Sequence, residues 1–353
     1  MSVNMAILSF KKVLAQSFVG RIYTCFFSNA RKDRTNEMIE VFVGKNLPRK
    51  EKASLKRGIR QAYIIYTWNP FEFFIFDYQG LSKSRRRGFV TEMQKENLAH
   101  KLNSTEVCKL LDCKWDTYMR FAPYYKRDIC SYISKNDNTA ELEVFISRHE
   151  DYILKPIDDS MGKGIVVLHK ANVDTIIQMM NDYPSGIIVE ELITQCEQMA
   201  SIHPQSVNTI RIHTFYVNGQ VHIHSRPFAR FGRRGGVVDN AAQGGIFAAI
   251  DYKTGIVTAA MDEFGNRYIK HPETQKNIVG FQIPRWQEAL KLAKELATVV
   301  PEAVSVGWDL ACVDDGWVMV EGNSRGQFIG QQMFYRTGVR EELLSIDPVL
   351  FSR

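Results

Sequence analysis

The sequence predicts a mixed α+β protein with a mainly helical N-terminal region and largely antiparallel strands in its last two thirds. Two observations support this class. Short apolar runs flank Asn218-Gly219 and Asp315-Gly316, and such pairs are typical of tight hairpin turns. Residues 1–60 are polar, with loosely spaced apolar positions that favour helices.

The chain has 353 residues, of which 45% are hydrophobic and 24% charged, so two or three globular domains are expected. Its six cysteines form no C-x-x-C pair, which favours free thiols in a reducing cytosol. The N-terminus lacks the order of a signal peptide. The most apolar stretch, residues 62–78, is interrupted by Asn69, Pro70 and Glu72, so we expect buried core and a cytoplasmic protein.

The positive charge is concentrated in the N-terminal quarter. Residues 1–90 hold 17 Lys and Arg against 6 Asp and Glu, whereas the whole chain has a net charge of +6. The tract KSRRR at residues 83–87 is either a solvated basic face or a docking site for an anionic partner. Such a partner is an acidic membrane surface, which would make the protein peripheral at the inner face, or a charged glycan. No nucleic-acid-binding motif accompanies the charge.

The predicted elements divide the chain into three parts: a basic, mainly helical region at residues 1–113, a first lobe at 114–195 and a second lobe at 196–353. The first lobe reads as a helix, a break at Pro123, a strand, a strand–loop–strand unit, a helix and a buried strand. The second lobe reads as a hairpin turning at Asn218-Gly219, a glycine-rich stretch, a strand pair, an amphipathic helix and a last hairpin.

The last hairpin, GWDLACVDDGWVMVEGNSRG, gathers short oxygen donors at one end. A three-residue turn centred on Asp315 would place Asp309 opposite Glu321, and strand alternation puts Glu321 and Asn323 on one face. Cross-strand neighbours lie about 5 Å apart. Two carboxylates and a carboxamide suit Mg²⁺. The alternative is an ordinary solvated hairpin end.

Gly162-Lys163-Gly164 lies between two strands, so it is a hairpin tip and not a P-loop. Glycines there let backbone N–H groups approach phosphate oxygens, although a simple turn is the alternative. Lys155 interrupts the preceding apolar strand, where a lysine is rare unless paired. Farther on, Glu190 and Glu191 end an apolar strand and precede Glu197, which suits recognition of adenine and ribose.

This order of motifs resembles the ATP-grasp superfamily, most closely the sugar-transfer-associated ATP-grasp proteins, over about residues 110–335. The resemblance implies an ATP-grasp fold, in which two α+β lobes grip ATP. It also implies roles for single residues: phosphate binding by Lys114 and Lys155, a flap of Gly162, Lys163 and Gly164, an adenine hinge of Glu190, Glu191 and Ile193, ribose binding by Glu197, and magnesium binding by Asp309, Glu321 and Asn323. Glu197 as a plain surface residue remains the alternative.

The segments IRIHTF and NAAQGG are similar to those of glutamate-ligase-like ATP-grasp enzymes. The similarity implies that Arg211, Arg226 or Arg230, and Asn240, contact phosphate or acyl phosphate. The segment RPFARFGRRGG offers four arginines, so the choice stays open, and Arg211 could instead pair with a structural carboxylate. Four histidines of this region are expected at exposed hairpin positions and not in a metal site: His203, His213, His222 and His224.

The resemblance implies a ligase that uses ATP and Mg²⁺ to join a carboxylate to an amine through an acyl phosphate, releasing ADP. It suggests a role in making or modifying a cell-surface polysaccharide, with a small molecule or a glycan as substrate. One alternative is a kinase of a sugar or glycan. Another is a non-catalytic, nucleotide-binding partner of a glycosyltransferase.

Overall fold

The computed structural model describes residues 17–132, 139–158, 164–233, 244–326 and 328–350, apart from the side chain of His100. The chain forms two compact units: Met1–Leu98 with Gln327–Arg353, and Ala99–Gly326. Within the described ranges, every helix is too short or too polar to cross a lipid bilayer. The predicted boundaries after residues 113 and 195 stay predictions.

The described part of the first unit is helical. Its helices are α1 Phe18–Phe27, α2 Asn29–Phe42, α3 Arg49–Tyr66, α4 Pro70–Ile75, α5 Lys83–Arg87, the start of α6 Glu92–Leu102, and, near the C-terminus, α13 Ile329–Tyr335 and α14 Arg340–Ile346. Trp68 is fully buried and packs edge-on against Phe76 and Phe89, 5.6 and 5.1 Å between ring centroids. The expectation that the apolar stretch at residues 62–78 is core is confirmed.

A side-chain amide joins the C-terminal segment to this unit. Gln332 is buried, its Oε1 accepts from the backbone N–H of Val90 (2.7 Å), and its Nε2 donates to the carbonyl of Val90 (2.8 Å). The amide thus satisfies both backbone groups of Val90 in the way that a neighbouring strand would.

The second unit begins with α7 Thr105–Asp112 and α8 Lys114–Tyr125 and contains two antiparallel sheets. The first sheet has the order β1-β4-β2-β3, from β1 Ile129–Tyr132, β2 Asp151–Pro156, β3 Val166–His169 and β4 Ile187–Glu191. Between its strands the chain forms α9 Ala140–Arg148 and α10 Val173–Met180, and their buried side chains pack with Leu154 and Val189 on one face. Side chains alternate along a strand, so Lys155 and Glu190 lie on the opposite face.

The second sheet has seven strands in the order β11-β10-β5-β7-β8-β9, with β6 paired to β5. The strands are β5 Thr209–Val217, β6 Gln220–Ile223, β7 Phe228–Phe231, β8 Ile246–Ile250, β9 Val257–Met261, β10 Ser305–Val313 and β11 Gly316–Asn323, accompanied by α11 Glu197–Ala200 and α12 Trp286–Val299. Helix α12 buries Leu296 and Ala293 in the core that also holds Trp308 of β10. This apolar contact fixes β10 and β11 as a rigid base for the polar groups at their ends.

Of the two predictions made from glycine and proline, the hairpin turn at Asn218-Gly219 is confirmed and the helix break at Pro123 is not. Asn218 and Gly219 both have positive φ (52° and 76°) and connect β5 to β6, which confirms the predicted turn. The predicted helix break at Pro123 is wrong, because α8 continues to Tyr125. Proline in the last turn removes only one N–H donor, and the helix ends at once, with Lys126 in the left-handed region (φ 48°).

Candidate functional site

The β10–β11 hairpin brings Asp309 and Glu321 together through a bulge. Val313 pairs with Gly316, so the turn has two residues and the predicted three-residue turn is wrong. The register then shifts between Asp309 and Leu310, which leaves Val320 as an extra residue on β11. The shift restores the predicted pairing of Asp309 with Glu321, which is confirmed.

Asp309 is fully buried between two arginines from neighbouring strands. The Arg211 guanidinium donates to both of its oxygens, with 2.6 Å from Nη2 to Oδ2. Arg230 Nη2 lies 2.7 Å from the same Oδ2. Arg230 is held in turn by Thr209, whose Oγ1 accepts from Nε (3.0 Å) and Nη2 (2.9 Å). Asp309 therefore fixes the positions of two guanidinium groups.

Glu321 and Asn323 lie at the accessible edge of this cluster. The Glu321 side chain is 46% exposed, and its Oε1 lies 3.8 Å from Arg211 Nη2. Asn323 Nδ2 donates to Glu321 Oε1 (3.1 Å) and approaches Asp309 Oδ2 (3.5 Å). These contacts confirm that Glu321 and Asn323 share a face. The cluster combines two carboxylates, two guanidiniums and one amide.

The pKa values of Asp309 and Glu321 are shifted in opposite directions. Burial by itself would raise the pKa of Asp309, but the charges of Arg211 and Arg230 outweigh it and hold that pKa well below the usual range. The pKa of Glu321 is raised, first because the surrounding protein displaces water from its carboxyl group and then by the negative charge of Asp309. Because Glu321 is half exposed, water weakens that shift. The two arginines thus favour the ionised form of Asp309.

A second charged cluster lies on the face of the first sheet opposite α9 and α10. Glu190 is buried and its Oε2 accepts from Lys155 Nζ (2.9 Å) and from Arg127 Nε and Nη2 (3.1 and 3.0 Å). Burial alone would raise the pKa of Glu190, but these two cations lower it. The carboxylate of Glu190 is therefore engaged by side chains of the protein, and its predicted role in adenine recognition stays a prediction.

Arg127 was not among the predicted site residues, yet it links the two sheets. Its Nη1 donates to the carbonyl of Met319 on β11 (2.7 Å) while its Nε and Nη2 bind Glu190 on β4. Its guanidinium carbon lies 4.5 Å from the ring centroid of Tyr125. The only signal in the sequence is one arginine between the aromatic pair Tyr124-Tyr125 and a short strand.

The two clusters are neighbours along β11. Met319 precedes Glu321 by two residues, which corresponds to about 7 Å along a strand. The charges of Glu190 and Glu321 both act on Tyr125, where burial, as the largest effect, raises the pKa of the phenol. The lysine–glutamate pair of the first sheet and the carboxylate–arginine cluster of the second sheet therefore belong to one polar site.

The predicted hinge after β4 lines a cavity of about 300 Å³. Glu191 and Ile193 form one wall, and Val318 and Asp315 of the last hairpin form another. Lys126 Nζ lies 3.5 Å from Asp315 Oδ2 at its edge. The lining combines apolar side chains such as Ile193 and Val318 with the charged side chains of Lys126, Arg127 and Asp315.

Of the other residues predicted to bind phosphate, the structure describes Lys114 and Gly164. Lys114 Nζ donates to the carbonyl of Pro156 (2.8 Å), at the end of the strand that carries Lys155. Gly164 has a φ of 67°, and a Cβ there would lie 2.8 Å from Pro156 and 2.9 Å from Tyr183, so only glycine fits. Gly162, Lys163 and Asn240 lie outside the described residues.

The structure also describes two further predicted site residues, Glu197 and Arg226. Glu197 is an exposed residue at the start of α11. Arg226 lies between β6 and β7, and its backbone N–H donates to His224 Nδ1 (3.1 Å). Neither observation tests the predicted contact with ribose or phosphate.

The expectation that the histidines are exposed is wrong for His203, His213 and His224, which are buried. Hydrogen bonds offset the cost of burying these rings, for example His213 Nε2 with Ser305 Oγ (2.7 Å) and His203 Nδ1 with Ser206 Oγ (3.0 Å). Burial, followed by the charges of His224 and Arg211, holds the pKa of His213 well below its usual value. Within the described ranges, these histidines form no metal-binding group with acidic or cysteine side chains.

A model of one protein family, described as sugar-transfer associated ATP-grasp, matches residues 93–348. The chain belongs to this family. The predicted family and the predicted α+β fold class are thereby confirmed, and the predicted helical N-terminal region is present. Membership in this ATP-grasp family supports an ATP-dependent, ligase-type function. No curated protein sequence matches the chain significantly.

Solved ATP-grasp structures are similar to this family member at low identity. The ADP complex of N5-carboxyaminoimidazole ribonucleotide synthetase is 14% identical, with 62% of this chain and 46% of that chain covered and a TM-score of 0.39. The ligase PsnB, complexed with minimal precursor, Mg and ADP, is 13% identical (71% and 62% covered, TM-score 0.41). D-alanine–D-alanine ligase from Bacillus anthracis with ATP is 12% identical (68% and 66% covered, TM-score 0.42). The chain spans about half to two thirds of these proteins.

The predicted magnesium set fits Mg²⁺ in its chemistry. Glu321 supplies a half-exposed carboxylate and Asn323 an amide oxygen, both of which are ligand types that Mg²⁺ accepts. Both oxygens of Asp309 already accept from guanidiniums, so Asp309 fits only as a ligand shared with Arg211 and Arg230. Of the predicted set, Glu321 and Asn323 are therefore the residues whose oxygens could bind the ion directly.

Proposed function

We propose that the protein is an ATP- and Mg²⁺-dependent ligase that joins a carboxylate to an amine through an acyl phosphate and releases ADP. We further propose that it acts in the biosynthesis or modification of a cell-surface polysaccharide, to which the family name points. The observation that carries the proposal is the pair of guanidiniums, Arg211 and Arg230, anchored on buried Asp309 beside the accessible Glu321 and Asn323.

The proposed reaction has two steps. A carboxylate oxygen of the substrate attacks the γ-phosphorus of ATP, the bond from that phosphorus to the β-phosphate oxygen breaks, and ADP leaves. The amine nitrogen then attacks the acyl carbon, the bond from that carbon to the phosphate oxygen breaks, and phosphate leaves while the amine loses a proton to solvent. Both steps place negative charge on phosphoryl oxygens and need no protein nucleophile.

Arg211 and Arg230 suit this chemistry because their positions are fixed before a substrate binds. Each contributes a positive charge, and Asp309 prevents the guanidiniums from turning away. We assign the phosphate and acyl-phosphate contacts to these two arginines in preference to Arg226. Glu321 and Asn323 would hold the magnesium ion, which would neutralise phosphate charge when bound.

ATP binding is assigned to the first sheet and the hinge. Lys155, which pairs with Glu190, is the proposed phosphate lysine, and Lys114, whose Nζ contacts the end of the same strand, is the second. The cavity between Ile193 and Val318 is the proposed adenine site. In this arrangement the nucleotide runs along β11 from the cavity to Glu321 and Asn323.

The test is a screen of candidate carboxylates and amines, both small molecules and glycans, that follows ADP and phosphate and identifies the product by mass. A ligase releases both only when carboxylate and amine are present, and it forms a hydroxamate when hydroxylamine replaces the amine. A stable phosphorylated product without free phosphate would show a kinase and refute the ligase proposal. Nucleotide binding without turnover on any acceptor would favour a non-catalytic partner of a glycosyltransferase.

A further inference from the structure

Helix α1 presents an apolar face to solvent. Six of its ten residues are large, apolar and exposed, with 36–72% of their surface accessible: Phe18, Val19, Ile22, Tyr23, Phe26 and Phe27. We call this set the α1 face. Its spacing covers one half of a helix, and the buried residues Gly20 and Cys25 lie on the other half. Six neighbouring residues of this kind form a patch that soluble surfaces seldom leave uncovered.

The α1 face is held in place by the helices beneath it. Arg21 Nε donates to the carbonyl of Ile64 at the end of α3 (3.0 Å), which ties α1 to that helix. Ser17 caps the N-terminus of α1 through a bond from the N–H of Gly20 (3.0 Å). The rings of Tyr23 and Phe27 stack at 4.9 Å between centroids. The patch is therefore an ordered surface feature and not the consequence of a detached helix.

The α1 face is bordered by positive charge. Helix α3 carries six basic residues and one acidic residue, and the guanidinium carbon of Arg60 lies 5.5 Å from the ring centroid of Phe26. Residues 1–90 have 17 Lys and Arg against 6 Asp and Glu. The occupant must therefore be apolar on the inside and anionic at its edge. A second copy of the chain fails the electrostatic requirement, because two such faces would bring like charges together.

We propose that α1 binds an anionic lipid bilayer, with its aromatic and aliphatic face inserted among the headgroups and the basic residues of α3 at the phosphates. Aromatic residues on one face with cations beside them are the composition of interfacial helices. This inference is separate from the proposed ligase function. It places the membrane contact at α1 and not at the KSRRR tract. In that tract, Arg86 already donates to the Tyr78 carbonyl (2.9 Å), and its guanidinium carbon lies 3.8 Å from the centroid of the Tyr78 ring.

The test is co-sedimentation of the full chain with vesicles of phosphatidylcholine alone or mixed with phosphatidylglycerol, at low and high salt. The test variant carries Phe18→Ser, Tyr23→Ser and Phe27→Ser. The control variant replaces three exposed apolar residues of the second unit, which have similar exposure: Val144→Ser, Val167→Ser and Ile269→Ser. We expect preferential binding to the acidic vesicles, weakened by salt, a loss of about tenfold or more in the test variant, and no loss in the control.

Three results would overturn the inference. The first is equal recovery with neutral and acidic vesicles, because the charged border would then have no role. The second is unchanged binding of the test variant, because another surface would then bind lipid. The third is a dimer in sedimentation equilibrium that the test variant abolishes, because the α1 face would then be covered by a second copy of the chain.

Discussion

Arg211 binds both carboxylate oxygens of Asp309, its direct neighbour across β5 and β10. The pair is buried, and Arg230 from β7 donates to the same carboxylate. A guanidinium that is placed by a strand register and by two hydrogen bonds needs little reorganisation when an anion arrives. This arrangement leads to predictions about stability as well as about turnover.

Replacing Asp309 by Asn should destabilise the second unit by about 3–5 kcal/mol, because buried Arg211 and largely buried Arg230 lose their counter-charge. Replacing half-exposed Glu321 by Gln should cost less than about 1 kcal/mol while abolishing turnover. Native-state hydrogen exchange measures the free energy of opening of β5 and β10, and this free energy should be much lower in the Asp309 variant than in the Glu321 variant. Equal stability of both variants would contradict the anchoring role of Asp309.

Mg·ATP should bind and raise the melting temperature, because a ligand selective for the folded state stabilises it. Lys155→Ala should weaken binding by about tenfold or more, since it removes a charge proposed to contact phosphate. Lys170→Ala is the matched control, because Lys170 is an exposed lysine of the same lobe paired only with Glu150 in the contacts described. Calorimetry that detects no magnesium-dependent ATP affinity in the wild type would remove the nucleotide site.

Arg127→Lys should cost about 1–3 kcal/mol, because one ammonium cannot reach both Glu190 and the Met319 carbonyl as the guanidinium does. It should also weaken ATP binding, since Glu190 and Lys155 would lose a fixed neighbour. Arg120→Lys is the control, because Arg120 forms an exposed pair with Glu302 (2.9 Å) that should contribute little. The expectation fails if both variants unfold at the same urea concentration as the wild type.

Glu72 should make the first unit less stable as pH rises from about 4.5 to about 7. Burial raises the pKa of Glu72 to about 7, although its oxygens accept from the N–H groups of Asn69 (2.7 Å) and Glu92 (2.6 Å). A carboxyl whose pKa is raised on folding stabilises the protein below its unfolded pKa, and this stability is lost as pH rises through the folded pKa. The expected difference between about pH 4 and pH 8 is on the order of 3 kcal/mol.

Hydrogen exchange of residues 69–76, corrected for its intrinsic pH dependence, measures this effect locally. Glu72→Gln cannot titrate, so protection in that variant should be lower overall but independent of pH. A wild type whose protection is equally constant would show that folding does not raise the pKa of Glu72.

Features that depend on neighbouring residues in the chain could be predicted from the sequence. The turn at Asn218-Gly219 follows from the backbone freedom of those residues, and the buried strand β4 follows from its apolar run. The motif order around Lys155 and Glu321 was sufficient to predict the family and the fold class. The roles assigned to single site residues stay predictions.

The histidines and Pro123 show where local signals failed. A polar ring is predicted at the surface, but His213 is buried because Ser305, 92 positions away, provides a hydrogen-bond partner. Pro123 is expected to end a helix, but its position in the last turn of α8 allows two more helical residues.

By itself the sequence determined the ATP-grasp family, the largely antiparallel strands and the gathering of Asp309, Glu321 and Asn323 at one hairpin end. Only the tertiary structure decided that Arg211 and Arg230 hold Asp309, and that Arg127 joins Glu190 to β11. These partners lie 98 and 63 positions apart for Asp309–Arg211 and Glu190–Arg127. The periodicity of apolar residues predicts which face of a strand is buried. Strand order and the bulge at Val320 determine which charges meet, and neither can be predicted from residues that are neighbours in the sequence.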